Sequence, residues 1–189
     1  APTRATAASI TLAMPDRVAA QLDLPDPGIG ALITPEQMAP RRYSFVKWDA
    51  RPGNALLVEN TPDEGGVGWV DWEHCGTRDA LDDLAWLLCD EYMPDDEALE
   101  AVLLKRFLPL FALQSQRTPE DALVYLSRFG SLHTCMRLSL VLKLKGKGAW
   151  WNPEACERTD RVGVTVEGAQ RLCSRGARWS RRWPGSERM

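Results

Sequence analysis

Asp49, Asn54 and Asp71 are the residues of this 189-residue chain whose types and order could do chemistry. Two carboxylates and an amide oxygen are hard oxygen donors, the kind Mg²⁺ takes one or two of before completing its octahedron with water and substrate phosphates. A carboxylate left outside the metal shell can accept the proton of a hydroxyl group. Lys47 and Arg51 flank Asp49, and by position they are the cations placed to help neutralise phosphate charge. Such a set points to phosphoryl transfer, in which the protein mostly positions groups and neutralises charge.

The elements that must bring these residues together are legible around them. Asn54 opens the apolar run Ala55, Leu56, Leu57, Val58, and Asp71 closes the run Val67, Gly68, Trp69, Val70. Between the runs lies Asn60-Thr61-Pro62-Asp63-Glu64-Gly65-Gly66, a string of turn formers, so the segment reads as a β-hairpin. In an antiparallel hairpin the start of the first strand lies beside the end of the second, which makes Asn54 and Asp71 neighbours. Arg51-Pro52-Gly53 continues neither strand nor helix, and a turn there brings Asp49 to the same end. Tyr43-Ser44-Phe45-Val46 reads as a strand running into this loop.

Protein kinases use the same layout, an Asp and an Asn in D-x-x-x-x-N spacing and then a hairpin leading to a metal-binding Asp. Asp49-Ala50-Arg51-Pro52-Gly53-Asn54, followed by Val70-Asp71-Trp72-Glu73, Asp79 and Asp83-Leu84-Ala85, resembles the aminoglycoside phosphotransferase family, relatives of choline and protein kinases. The resemblance is close over about Phe45 to Asp90 and in outline over the helical remainder. It implies a kinase-like fold and transfer of the ATP γ-phosphate to a hydroxyl of a small molecule. Asp49 would be the catalytic base, Asn54 and Asp71 the magnesium ligands, and Asp83 a buried helix residue that supports the loop. The chain departs from the family at Lys47-Trp48, where His-Gly is usual, and at Arg51, where a His often precedes Pro-Gly.

Each feature has a plainer structural reading. Asp49 and Asn54 could cap a turn, and Asp71 a helix start; the three in this order, split by a hairpin, favour the functional reading. His74-Cys75 has no third ligand or base near it in sequence and reads as structural. His133, near Cys135, reads as a satisfied interior or surface histidine. The acidic run Asp90, Glu91, Asp95, Asp96, Glu97 has two readings, as a helix start or as a field that attracts a cationic acceptor, and capping is preferred.

Composition bounds the class. Apolar residues make up 44% of the chain, enough for one domain with a sizeable core. The net charge of −3 argues against a general nucleic-acid binder. Five scattered cysteines without a C-x-x-C pair fit reduced thiols, and no apolar run approaches the roughly 20 residues that span a bilayer. A soluble, cytoplasmic protein without membrane association is expected. The first residue is Ala rather than Met, which hints at a processed protein or a fragment.

The rest of the chain reads as helical. Met14 to Leu22 suits a short helix, Thr34-Pro35-Glu36 carries a helix start for a short helix or turn, and Gly28-Ile29-Gly30 is a faint echo of a glycine-rich phosphate loop. The only Lys before Asp49 is Lys47, and residues 1–44 leave no room for a five-stranded nucleotide lobe, so that lobe is expected to be absent. Helices are expected over Thr77 to Tyr92, Asp95 to about Gln114 with a kink or split at Pro109, Thr118 to about Lys145, and Val162 to about Arg175. Gly130 marks a close helix contact or a bend, and Trp150-Trp151 reads as a packing plug. The end is basic, with Arg171, Arg175, Arg178, Arg181, Arg182 and Arg188 interleaved with Trp179 and Trp183. It reads as a solvated, frayed helix end, with a single-stranded nucleic-acid surface as the alternative.

The expectation is therefore an α+β fold: a mostly helical kinase-like C-terminal lobe with a small catalytic-loop β-hairpin. Residues 1–44 form an irregular segment with short helices in the same domain, 45–175 the lobe, and 176–189 a basic tail. The expected activity is an ATP- and Mg²⁺-dependent phosphotransferase acting on a small-molecule hydroxyl; the rival readings are a non-catalytic remnant or scaffold, and a nucleic-acid module acting through the tail.

Overall fold

The computed structural model describes residues 12–25, 32–58, 66–159 and 161–183. The fold is α+β and about 56% helical. Its elements in chain order are α1 (Met14–Gln21), β1 (Ser44–Val46), β2 (Ala55–Val58), β3 (Gly66–Trp69), β4 (Gly76–Arg78), α2 (Leu81–Leu88), α3 (Glu97–Gln114), α4 (Pro119–Lys145), α5 (Pro153–Arg158) and α6 (Val166–Ser180). The turn residues 59–65 and the Gly28-Ile29-Gly30 stretch lie outside the described residues.

Helix α4 is the axis of the molecule. Thr118 caps it by accepting the Asp121 N–H, Pro119 stands in its first turn, and Gly146 ends it at φ 52°. Its 27 residues make a rod about 40 Å long. The consecutive residues Gly130, Ser131, Leu132, His133 and Thr134 are all buried, so this part of the rod is covered on every side. One apolar cluster joins Leu84, Leu88, Leu108, Tyr125, Leu126 and Trp179 between α2, α3, α4 and α6; a second joins Val18, Leu138, Val141 and Leu172 between α1, α4 and α6. Gly130 is a close-contact position: a Cβ there would press into the Trp179 ring and come within 2.9 Å of Cys89 Sγ.

Two small antiparallel sheets sit beside the helices. β2 and β3 form the expected hairpin, with Ala55 opposite Trp69 and Val58 opposite Gly66. β1 pairs with β4, Ser44 opposite Arg78 and Val46 opposite Gly76. This second pairing corrects the expected helix from Thr77 to Tyr92. The chain leaving the hairpin first adds a strand to β1, and the helix runs only from Leu81 to Leu88. Asp79 fixes its start by accepting the Leu81 N–H, and Asp90 turns the chain after its end by accepting the Tyr92 N–H.

Two other expectations shift. Pro109 neither splits nor interrupts α3; Pro109 and Lys105 are exposed, so the carbonyl that loses its helical donor can bond water. Thr34-Pro35-Glu36 starts a single 3-10 turn, Glu36–Met38, the short helix or turn expected there. The last helix begins at Val166, where Thr165 accepts the Gly168 N–H, and it continues to Ser180. The residues before it make tight turns, Val164 N–H to the Val162 carbonyl and Thr165 N–H to the Gly163 carbonyl, and Trp151 N–H bonds the Val164 carbonyl.

The boundary expected at 175/176 therefore falls inside a helix, and residues 176–183 are packed rather than a solvated tail. Trp179 and Trp183 are buried. Arg178 and Arg182 both bond the Glu100 carboxylate, and Arg175 donates to the carbonyls of Asp90, Met93 and Pro94.

Candidate functional site

The loop between β1 and β2 folds back on itself and brings the predicted residues together. Asn54, in a 3-10 turn over Pro52–Asn54, donates from Nδ2 to the Asp49 carbonyl and to Asp49 Oδ2, each at 2.9 Å. With the amide nitrogen turned to Asp49, the oxygen Oδ1 is the end left for another partner. The Asn54 carbonyl accepts the Val70 N–H at 3.0 Å, which sets Asp71 beside the same mouth. Asn54 is buried, Asp49 is half-buried, and Asp71 is exposed.

Backbone geometry marks two of these places, Asp49 and Asp71, and the residue before Asp49. Trp48, Asp49 and Asp71 have φ of 52°, 59° and 57°, in the left-handed region that a residue with a Cβ enters at a cost of roughly 1–2 kcal/mol. Such conformations persist where surrounding contacts hold them. Asp83 holds the first of them, at Trp48. Its Oδ2 accepts the Lys47 N–H and its Oδ1 the Trp48 N–H, both at 2.8 Å, which bears out the loop-supporting position expected for Asp83. Burial pushes the Asp83 carboxyl up, and these two N–H groups pull against that rise.

Lys47 has a different place from the one expected. It is buried, and its Nζ donates to the Asp49 carbonyl at 3.2 Å and the Asp71 carbonyl at 2.9 Å, with the Trp69 and Trp72 rings about it. The ammonium ties the two acidic segments together, a loop-fastening position rather than a phosphate-binding one. Arg51 is also nearly buried, with Nε 3.7 Å from Asp49 Oδ1. Its charge acts on the Asp49 carboxylate, and the expectation that it reaches toward a cofactor gains nothing from that placement.

Sequence reasoning missed the charged layer beneath the loop. Arg137 of α4 meets Glu91 through both carboxylate oxygens, with Nε at 2.8 Å from Oε2, and stands 4.0 Å from Asp90 Oδ2. All three side chains are buried. Burial, with the neighbouring Glu91 charge, pushes the Asp90 carboxyl up to about 7. Burial also acts on Glu91, but its hydrogen bonds from Arg137 and the Arg137 charge outweigh it and leave that carboxyl below the usual range. The signal in the sequence was an Arg amid the buried face of a long amphipathic helix, a position that demands a carboxylate partner.

This layer changes the reading of the acidic run. Asp90 and Glu91 face Arg137, Asp96 caps α3 through the Ala98 and Leu99 N–H groups, and Asp95 pairs with Arg178. Asp90 and Glu91 are thus occupied inside the protein, while Asp95, Asp96 and Glu97 stay exposed at the start of α3, where Asp96 does the capping that was the preferred reading. His133 departs from its satisfied reading too. It is buried between Trp86, 4.2 Å away, and Phe129, and neither ring nitrogen has a hydrogen-bond partner. Burial and the Arg137 charge hold it neutral.

Beside the mouth a cavity of about 500 Å³ opens between the sheets, α2 and α3. Phe45, Trp69, Trp72, Phe107 and Phe111 line it, with Lys47 and Asp83 in its wall. Among the described residues no group of three or more His, Cys, Asp and Glu side chains could hold a metal ion. No helix among those residues is long and apolar enough to cross a membrane.

Compared with known proteins, the chain matches no family model, no curated protein and no solved structure.

Proposed function

We propose that the loop and hairpin from Lys47 to Glu73 are the acidic half of a Mg²⁺-dependent phosphotransferase site, in a kinase-like lobe resembling the aminoglycoside phosphotransferases. The reaction would move the γ-phosphoryl group of ATP to a hydroxyl of a small molecule. The observation that carries this reading is the Asn54 amide bound to both the carbonyl and the carboxylate of Asp49, at the mouth of a hairpin whose far end delivers Asp71.

The donor set fits the metal. Asn54 Oδ1 and the exposed Asp71 carboxylate are hard oxygens that flank the paired ends of β2 and β3, and two protein ligands leave positions for phosphate and water. Bound there, Mg²⁺ would neutralise charge on the phosphate oxygens. Asp49 keeps Oδ1 toward Arg51 and Oδ2 toward Asn54, an orientation fixed before any acceptor arrives. It would orient the acceptor hydroxyl and take its proton. The size and aromatic lining of the adjacent cavity suit a small-molecule site.

A second reading, a lobe that holds metal and ligand without turnover, is favoured by one observation. Lys47, the single lysine before Asp49, has its ammonium engaged by two backbone carbonyls. The nucleic-acid reading has less to support it, because Trp179 and Trp183 are buried and cannot stack on bases.

Calorimetry with MgATP tests the first reading. Wild-type chain should bind, and Asp71→Asn should weaken magnesium-dependent binding by about tenfold or more, the loss of one charged metal ligand. Equal binding by both forms would overturn the metal assignment. Phosphoryl transfer to polyol and amino-alcohol acceptors, followed with labelled ATP, separates turnover from binding alone.

A further inference from the structure

We infer that Arg78 is a positioning residue for Asp49, acting through Trp48. The inference rests on the phosphotransferase reading for its function, but its geometry stands independently. Trp48 occupies a left-handed conformation at φ 52° and Asp49 follows at φ 59°, so the direction of the Asp49 carboxylate depends on a bulky residue staying where it is intrinsically disfavoured.

Trp48 stays because its indole is enclosed. The Arg78 guanidinium lies over one part of the ring at 3.8 Å from the centroid, while Trp86 and Phe129 meet it edge-on at 5.5 and 6.0 Å. The planar guanidinium matches the ring face as an ammonium does not. Arg78 is itself fixed by the register of β4 on β1, where it stands opposite Ser44. The strand that follows the hairpin thus reaches back across the loop and clamps the residue before the candidate base. Asp83 holds the Trp48 backbone N–H from the other side, so backbone and ring are fastened by different residues.

Glycine supplies a decisive control, since it enters the left-handed region without steric cost. In a Trp48→Gly background the loop no longer depends on an indole clamp. Arg78→Ala alone should let Trp48 relax, turn Asp49 away and lower kcat by roughly ten- to a hundredfold, the scale of a misplacement of about an ångström. The KM for nucleotide should hold, since Arg78 touches neither Asn54 nor Asp71. Arg78→Lys, which keeps the charge and loses the planar face, should behave like Arg78→Ala. The double variant Trp48→Gly/Arg78→Ala should recover to within about threefold of Trp48→Gly alone.

The readouts are backbone NMR couplings and shifts reporting φ at Asp49, and Mn²⁺ broadening of the Asp49, Asn54 and Asp71 resonances, on the full chain. Retention of the left-handed Asp49 in both Arg78→Ala and Arg78→Lys would overturn the inference, as would equal losses from Arg78→Ala with and without the glycine. Absence of Mn²⁺ broadening in wild type would instead sink the phosphotransferase reading, while the φ measurement still decides the role of Arg78.

Discussion

The indole of Trp179 lies on the backbone of Gly130, so closely that no side chain fits between them. This contact joins α6 to α4 and makes the basic end of the chain part of the core. Gly130→Ala should destabilise the protein by about 1–3 kcal/mol through overpacking, and Trp179→Ala by about 3–5 kcal/mol through the cavity it leaves. Urea unfolding followed by far-UV circular dichroism measures both. A change within 0.5 kcal/mol at either site would mean that this end of α6 does not pack as described.

Asp83 accepts two backbone N–H groups, and its two oxygens are not interchangeable with one. Asp83→Ala leaves both donors unpaired and should cost about 1–3 kcal/mol for each. Asp83→Asn keeps one acceptor oxygen and should cost about half as much. Hydrogen exchange at the Lys47 and Trp48 amides gives the local readout: both should speed up in Asp83→Ala. Unchanged protection there would detach Asp83 from the loop.

Asp82 is buried with Tyr125 donating to its Oδ1, and burial raises its carboxyl from 3.8 to about 8. Asp79 and Asp83 push in the same direction, and Arg78 opposes them. The folded protein holds a proton here that the unfolded chain releases. Stability from this group is therefore full below about pH 4, declines as pH rises, and levels off above about 8. Asp82→Asn should flatten the decline between pH 5 and 8 in thermal melts. An unaltered slope would show that Asp82 ionises freely in the fold.

Glu91 and Arg137 form a buried pair in which each neutralises the other. Glu91→Gln leaves the guanidinium with a weaker partner and should destabilise by about 3–5 kcal/mol. The depressed Glu91 carboxyl contributes stability that is present above its unfolded value of 4.5 and is lost as pH falls through the lower folded value. The variant should lack that acid-side loss. Denaturant titrations at pH 7 and pH 4 check both parts, and equal stability of the two proteins at pH 7 would contradict the buried pairing.

Much of the site was legible because its cause is local. Turn formers between two apolar runs dictate a hairpin, a hairpin places its two ends together, and Pro52-Gly53 forces the loop that returns Asp49 to Asn54. Asp83 was legible by a different rule, since a carboxylate on the apolar side of a helix requires donors. The caps at Thr118 and Asp96 were legible for the same reason, a short polar side chain ahead of an apolar periodic run.

What sequence could not decide was which partners long side chains choose. Lys47 reads as a free cation beside a phosphate site, yet its four-carbon stem carries the ammonium to two carbonyls on either side of the mouth. Thr77 and Arg78 fit the start of a helical pattern, yet β1 offers an open edge whose backbone groups need pairing, and that demand outweighs helix propensity.

By itself, the sequence determined the helical rod, the hairpin and the convergence of Asp49, Asn54 and Asp71, because turns, caps and periodicity act over a few residues. Only the tertiary structure decided that Arg137 neutralises Glu91, that Arg78 covers Trp48 and that the arginines of α6 face inward. Those pairings join residues far apart in the chain, and a buried charge takes whichever opposite charge the packed helices bring within reach.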